Sequence, residues 1–147
     1  AFALSTDPKY LILDEPTANF DPDFKQDFLN VIMQFMESGK KSVIIASHIL
    51  DELDRIADYL IYLDKGELVY SGDIESFRDK YRIISGESYK VKFLKQEDII
   101  HAEDRKYGTK ALVVNHGYSK YDGALTVTVP TLEEFMYHYS KRGESVI

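Results

Sequence analysis

The feature that most constrains this chain is a short apolar run ending in two adjacent carboxylates, Tyr10-Leu11-Ile12-Leu13-Asp14-Glu15. A continuous apolar run of this length, followed by Pro16, is typical of a buried strand in a parallel sheet. Open α/β sheets bind their ligands beyond the carboxyl ends of such strands. The run is therefore expected to deliver two acids to a ligand-binding edge, where Asp14 suits a metal ion and Glu15 suits a water molecule.

The residues that follow alternate between helix and strand patterns. Asp21 is predicted to be the N-cap of a helix with Pro22 at its first position. Apolar residues then recur at three- and four-residue spacing and are predicted to face the core: Phe24, Phe28, Val31, Ile32 and Phe35. Further strands are predicted over 42–46, 59–63 and 67–70, with a helix over 49–57. Strand, helix, strand, helix indicates a parallel sheet.

A second, smaller unit is predicted after a short helix over 74–81. The segment Ser85-Gly86-Glu87-Ser88 has the composition of a linker. Beyond it, strands are predicted over 89–94, 111–115 and 124–129, with a turn at 121–123 and a short helix over 97–104. Thr131 and Glu134 have the spacing of a capping box that opens a closing helix, whose apolar stripe would be Leu132, Phe135, Met136 and Tyr139.

Charge and composition exclude several classes of protein. Residues 1–84 carry 9 basic and 16 acidic side chains and residues 85–147 carry 9 of each, so the excess acid lies in the first part. A nucleic-acid platform would need clustered basic charge, so no nucleic-acid partner is expected. The absence of cysteine excludes disulfides and cysteine-based metal sites. No apolar run approaches the roughly 20 residues of a membrane span, and His101, His116 and His138 lack metal-ligand spacing.

Four sequence features together resemble the second half of an ABC-type ATPase. They are the Leu-Asp-Glu-Pro-Thr stretch ending at Thr17, the downstream Asp21-Pro22, the strand-terminal Ser47-His48, and the tail over 59–69. They occur in the family's order and cover roughly residues 1–80. One departure is Asn19-Phe20, where the family usually carries small or aliphatic residues before the aspartate, which leaves the loop around Asp21 less well matched.

The resemblance implies a role for each of four residues. Asp14 would orient Mg²⁺, through water, and Glu15 would polarise the water that attacks the γ-phosphate of ATP. His48 would contact the γ-phosphate and help to hold the water and the base. Asp21 would lie on the loop facing a second ATP-binding subunit and couple the two nucleotide sites, a role compatible with capping its helix.

Two hallmarks of a complete ABC-type ATPase are missing from these 147 residues. No G-x-x-x-x-G-K-[ST] phosphate loop occurs. The nearest candidate, Ser38-Gly39-Lys40-Lys41-Ser42, has Gln34 where the first glycine belongs and Lys41 where Ser or Thr belongs. The family's serine- and glycine-rich signature segment is missing too. The chain is therefore expected to be a carboxyl-terminal part of such an ATPase that is inactive when isolated.

The sequence thus predicts an α/β fold in which residues 1–84 form a truncated P-loop NTPase-type parallel sheet with helices and residues 85–147 form a small α+β accessory unit. The expected whole protein hydrolyses ATP with Mg²⁺ to drive transport. Its expected partners are a transmembrane permease subunit and a second ATP-binding subunit, at the inner face of a cell membrane, and the isolated chain is expected to self-associate. The alternatives are an ABC-type ATPase acting on ribosomes or DNA, and a regulatory or dimerisation module at residues 85–147.

Overall fold

A computed structural model of the 147-residue chain describes residues 6–50, 53–118 and 125–144. The chain divides into two compact units, Ala1–Ile56 and Ala57–Ile147. The structure confirms the predicted mixed α/β class, since both helices and small sheets are present. Among the described residues, no helix combines the length and apolar character needed to traverse a bilayer.

The first unit is built on two parallel strands. Strand β1 (Tyr10–Asp14) is followed by helix α1 (Pro22–Met36), strand β2 (Ser42–Ala46) and a short helix α2 (Leu53–Ile56). The two strands pair in register from Tyr10 opposite Ser42 to Asp14 opposite Ala46. This order confirms the predicted strand, helix, strand unit, and it brings the carboxyl ends of β1 and β2 side by side.

Helix α1 begins as predicted, but its predicted buried stripe is partly wrong. The Asp21 side chain accepts a hydrogen bond from the Phe24 backbone N–H at 2.9 Å, and Pro22 occupies the first turn. Leu29 and Ile32 are the buried residues of the helix, whereas Phe24 is 55% exposed and Val31 is 43% exposed. The Phe24 ring instead packs edge-on against Phe20, in the loop before the helix. The buried stripe is therefore narrower than the periodicity predicts.

The described part of the second unit combines a hairpin, a four-stranded antiparallel sheet and three α-helices. Strands β3 (Tyr59–Asp64) and β4 (Glu67–Asp73) form the hairpin and helix α3 (Ile74–Lys80) follows it. The sheet has the order β6-β7-β5-β8, and its strands are β5 (Tyr81–Gly86), β6 (Ile99–Arg105), β7 (Gly108–Val114) and β8 (Thr126–Thr128). Helix α4 (Ser88–Val91), a 3-10 turn (Gln96–Asp98) and helix α5 (Leu132–Ser140) complete the unit. Helix α5 opens with the predicted Thr131–Glu134 capping box.

Two apolar groups hold this unit together. One face of the sheet packs a cluster of aliphatic and aromatic side chains: Ile84, Val91, Leu94, Ala102, Ala111, Val113 and Tyr118. A second group is aromatic, because the Phe135 ring of α5 contacts the rings of Tyr62, Phe77 and Tyr81 at centroid distances of 5.6, 4.9 and 4.6 Å. Hairpin, helix and sheet therefore share one core around Phe135.

Three predictions for this part of the chain are wrong. The predicted linker 85–88 lies in the end of β5 and the start of α4, where Ser85 and Gly86 pair with β7. The predicted strand over 89–94 is mostly helix α4 and a turn, and the predicted helix over 97–104 is mostly strand β6. In the described residues, strand β3 pairs antiparallel with β4 in a two-stranded sheet. The predicted turn at 121–123 lies outside the described residues.

The predicted division at residues 84 and 85 therefore does not coincide with the division into compact units, which falls between Ile56 and Ala57. The physical reason is the shared core, since Tyr62 of β3 packs on Phe135 of α5. The assignment of 1–84 to an ATPase-like part and 85–147 to an accessory unit stays a prediction.

Candidate functional site

The candidate site lies at the carboxyl ends of the two parallel strands. Asp14 is the last residue of β1 and pairs with Ala46, the last residue of β2. The Glu15 backbone N–H donates to the Ala46 carbonyl at 2.8 Å, which extends the ladder by one bond beyond the strand. The residues that follow each strand, Glu15 on one side and Ser47 and His48 on the other, are thereby placed side by side.

The backbone of Glu15 is in the left-handed region, with φ of 44°. A glutamate has a Cβ, so this conformation costs about 1–3 kcal/mol. It persists only where the surrounding structure holds it in place. The bond from Glu15 N–H to Ala46 and the contacts of its carboxylate supply that hold. Strained backbone of this kind clusters at functional sites.

The Glu15 carboxylate accepts hydrogen bonds at both oxygens. Its Oε1 lies 2.8 Å from His48 Nδ1 and 3.1 Å from the His48 backbone nitrogen. Its Oε2 accepts from the Ser47 hydroxyl at 3.3 Å. The structure therefore brings together two of the four predicted site residues, Glu15 and His48, and joins them directly.

These contacts fix the charge state of the carboxylate. The His48 side-chain hydrogen bond is the largest influence and lowers the pKa of Glu15, against a smaller opposing effect of desolvation. Glu15 is therefore ionised at neutral pH. Because a carboxylate can only accept, His48 Nδ1 carries the proton in this pair. The imidazole is 72% exposed, so its other nitrogen is open to a ligand.

Asp14 and Asp21 occupy different positions. Asp14 is exposed at the strand end, next to Glu15. Its carboxylate fits Mg²⁺, which uses one or two protein carboxylates and otherwise binds phosphate oxygens and water. Within residues 6–50, 53–118 and 125–144, no group of three or more His, Asp or Glu side chains is arranged to hold a metal by itself. Asp21 caps helix α1, and no recorded hydrogen bond among the described residues joins it to Glu15 or His48.

Sequence reasoning assigned no role to Ser47. Its hydroxyl accepts from the Ile49 backbone N–H at 3.0 Å and donates to Glu15. The signal was present in the sequence, since a serine stands between an apolar strand and the histidine, but only the pairing of β1 with β2 makes the glutamate its partner. The site is therefore a network of three side chains and not a pair.

Comparison with known proteins finds relatives that are described as ATP-binding proteins of transporters. A Mycoplasma pneumoniae protein, assigned by its description to the ABC transporter ATP-binding proteins, is 35% identical over 104 residues, covering 67% of this chain and 32% of that protein. The energy-coupling factor transporter ATP-binding protein EcfA2 of Caldanaerobacter subterraneus is 41% identical over 81 residues, covering 54% of this chain and 28% of the relative. EcfA2 of Streptococcus pyogenes is 35% identical over 69 residues, covering 47% of this chain and 24% of the relative.

The chain thus spans about a third or less of the length of these curated relatives. No protein-family model matches it. Among solved structures, UvrA2 from Deinococcus radiodurans is similar at a TM-score of 0.41 and 21% identity, covering 57% of this chain and 14% of that one.

Two findings place the chain in the class of ABC-type ATP-binding proteins. One is the pair of parallel strands with a carboxylate network at their ends, and the other is the set of curated relatives. Within that class, the matched region belongs to the ABC transporter ATP-binding protein family.

Proposed function

We propose that this chain is the catalytic-carboxylate part of an ABC transporter ATP-binding subunit whose whole form hydrolyses ATP to drive transport. The observation that carries the proposal is the Glu15 carboxylate held by His48 and Ser47 at the carboxyl ends of β1 and β2. The matched relatives, which are named as ATP-binding proteins of transporters, support the same function. The proposal concerns the longer protein, since no phosphate loop occurs in these 147 residues.

In the proposed reaction, Glu15 polarises and orients the water that attacks the γ-phosphate. A general base must lie within hydrogen-bond reach of that water and must be ionised. The lowered pKa of Glu15 ensures that the carboxylate is ionised, but it also makes the carboxylate a weaker base. This combination fits a carboxylate that orients water and accepts its proton late, as phosphoryl transfer with a loose transition state requires.

His48 and Asp14 have complementary roles in the proposal. With its Nδ1–H committed to Glu15, His48 presents its second ring nitrogen to solvent, where it would contact the γ-phosphate when doubly protonated. Asp14 would hold Mg²⁺, which when bound neutralises phosphate charge. Asp21 would face a second ATP-binding subunit, and a transmembrane permease would place the assembly at the inner face of the cell membrane.

Substitution of Glu15 in the longer protein tests the proposal. Glu15→Gln keeps the shape of the side chain and its bond to the His48 backbone N–H but removes the charge. We expect ATP binding to persist and hydrolysis to slow by about 10²- to 10⁴-fold, the range for loss of a general base. Glu37→Gln, the same change at the exposed end of helix α1, is the matched control. Near-normal turnover in the Glu15 variant would place the base elsewhere.

A further inference from the structure

Ser47 is the one member of the Glu15 network to which neither the family resemblance nor the sequence pattern assigns a task. Its hydroxyl oxygen accepts from the backbone N–H of Ile49 at 3.0 Å. The same hydroxyl donates to Glu15 Oε2 at 3.3 Å. A serine whose side chain bonds the backbone two residues on is held in a local turn, so its oxygen has a fixed position just beyond β2.

The direction of the hydroxyl proton follows from this arrangement. A serine hydroxyl has one proton and two lone pairs. The Ile49 N–H occupies one lone pair, so the proton is directed away from that bond, and the ionised Glu15 is its recorded acceptor. A hydrogen bond to a charged acceptor is stronger than one between neutral groups. The serine thus links the backbone after β2 to the carboxylate after β1.

The two oxygens of Glu15 are held differently. Both donors of His48 meet Oε1, whereas Ser47 meets Oε2. Contacts at Oε1 alone would leave the carboxylate free to turn about that oxygen. The Ser47 contact at Oε2 removes this freedom and fixes the plane of the carboxylate, and with it the directions in which its remaining lone pairs point.

We propose that Ser47 is a positioning residue that sets the plane of the Glu15 carboxylate, so that one Oε2 lone pair stays aimed at the attacking water. This role rests on the proposed function of Glu15. It predicts that removing the hydroxyl slows the chemical step without weakening ATP binding, because Ser47 would act on the base and not on the nucleotide.

The first test uses the 147-residue chain and requires no activity. Side-chain couplings and the nuclear Overhauser contact between Glu15 Hγ and the His48 amide proton report whether Glu15 occupies one rotamer. We expect a single rotamer in the parent chain and in Ser47→Thr, which keeps the hydroxyl, and averaging in Ser47→Ala. Ser42→Ala, at the exposed opposite end of β2, is the matched control and should leave Glu15 unchanged. A Glu15 side chain equally ordered in Ser47→Ala would overturn the proposal.

The second test uses the longer protein with its phosphate loop. Ser47→Ala should lower kcat by about 10- to 100-fold with KM for ATP unchanged, the scale of one lost hydrogen bond to a charged group. Ser47→Thr should restore most of that rate, and Ser42→Ala should match the parent. Unchanged kcat in Ser47→Ala, or an equal loss in Ser47→Thr, would overturn the positioning role.

The two tests separate this inference from the proposed function. If the longer protein fails to hydrolyse ATP although Glu15 becomes mobile in Ser47→Ala, the proposed function fails while the hold of Ser47 on the carboxylate stands. If hydrolysis depends on Glu15 but neither the rotamer nor kcat responds to Ser47→Ala, the positioning role fails while the proposed function stands.

Discussion

Glu15 Oε1 lies 2.8 Å from His48 Nδ1 although the two residues are 33 positions apart in the chain. The parallel pairing of β1 with β2 closes that separation, because it aligns the ends of the two strands. The left-handed backbone of Glu15, with φ of 44°, then lets the carboxylate meet both the ring and the backbone N–H of His48. Under the proposed function, this geometry predicts that the effects of Glu15 and His48 on hydrolysis are coupled.

His48→Ala in the longer protein should therefore lower kcat by about 10²- to 10⁴-fold, the same reduction as expected for Glu15→Gln. The double variant should be little slower than either single variant, because groups that act as a unit are strongly non-additive. Single-turnover hydrolysis in all four proteins measures the coupling. Losses that multiply would mean that the two residues act independently in spite of their hydrogen bond.

The 147-residue chain alone is expected neither to bind ATP·Mg tightly nor to hydrolyse it. Phosphate binding in P-loop proteins depends on backbone N–H groups and a lysine of a glycine-rich loop, and no such loop occurs in this sequence. Calorimetric titration with ATP·Mg measures the affinity directly. A micromolar dissociation constant would show that the site at Asp14 and Glu15 holds the nucleotide without that loop.

Two substitutions of Asp21 separate its two predicted roles. Asp21→Ala removes the bond to Phe24 N–H and should lower the stability of the first unit by about 1 kcal/mol, whereas Asp21→Asn keeps an N-cap and should cost little. Chemical unfolding measures both values. In the longer protein, Asp21→Asn should nonetheless reduce the cooperativity of hydrolysis if the charge faces a second subunit. Equal cooperativity in Asp21→Asn and the parent would leave only the capping role.

The sequence predicts the first unit well and the second one poorly. Strand β2 has the predicted bounds and β1 is one residue longer, because each is a short apolar run bounded by turn residues. The sequence predicts a helix over 97–104, yet each of residues 99–104 pairs with β7 or lies within a bulge of that pairing. Short segments carry weak intrinsic preferences, so long-range pairing decides their conformation.

The candidate site was also predictable only in part. Asp14, Glu15 and His48 could be named from their positions at strand ends together with the resemblance to ABC-type ATPases, and their roles stay predictions. The bond from Ser47 to Glu15 could not be predicted, since it depends on the left-handed backbone of Glu15. Glycine is the usual sequence sign of that conformation, and a glutamate gives no such sign. The buried pair His101 and His138 was also missed, because the residues lie 37 positions apart, on β6 and α5.

That pair should make the stability of the second unit depend on pH. The two Nδ1 atoms lie 2.8 Å apart, and the side chains are 3% and 1% exposed. Burial, with a contribution from His101, lowers the pKa of His138 from 6.5 to about 4. Between those values the unfolded chain binds a proton that the folded chain does not. Stability is thus complete above pH 6.5 and falls, by about 3 kcal/mol in all, as the pH drops toward 4.

Unfolding by denaturant between pH 7 and pH 4 measures this slope. His138→Gln keeps a donor and an acceptor but does not titrate in this range, so its stability should change less with pH than that of the parent. Parallel curves for His138→Gln and the parent would assign the acid sensitivity to other groups.

The last prediction concerns the outer face of the β1–β2 sheet. Tyr10, Ile12 and Ile44 are 75%, 74% and 61% exposed, and Ile12 lies directly opposite Ile44 in the ladder. Full burial of one such side chain is worth about 1.5–3 kcal/mol, so a contact that covers this face in two copies offsets the cost of association, about 4–15 kcal/mol. We expect the 147-residue chain to self-associate through this face. Sedimentation over a concentration series should show a dimer, and Ile12→Glu should shift it to monomer. Phe93→Glu, at an 86% exposed phenylalanine of the second unit, is the control and should leave the dimer intact. A parent chain that stays monomeric at high concentration would contradict the argument, because exposed apolar strands would then carry no drive to associate.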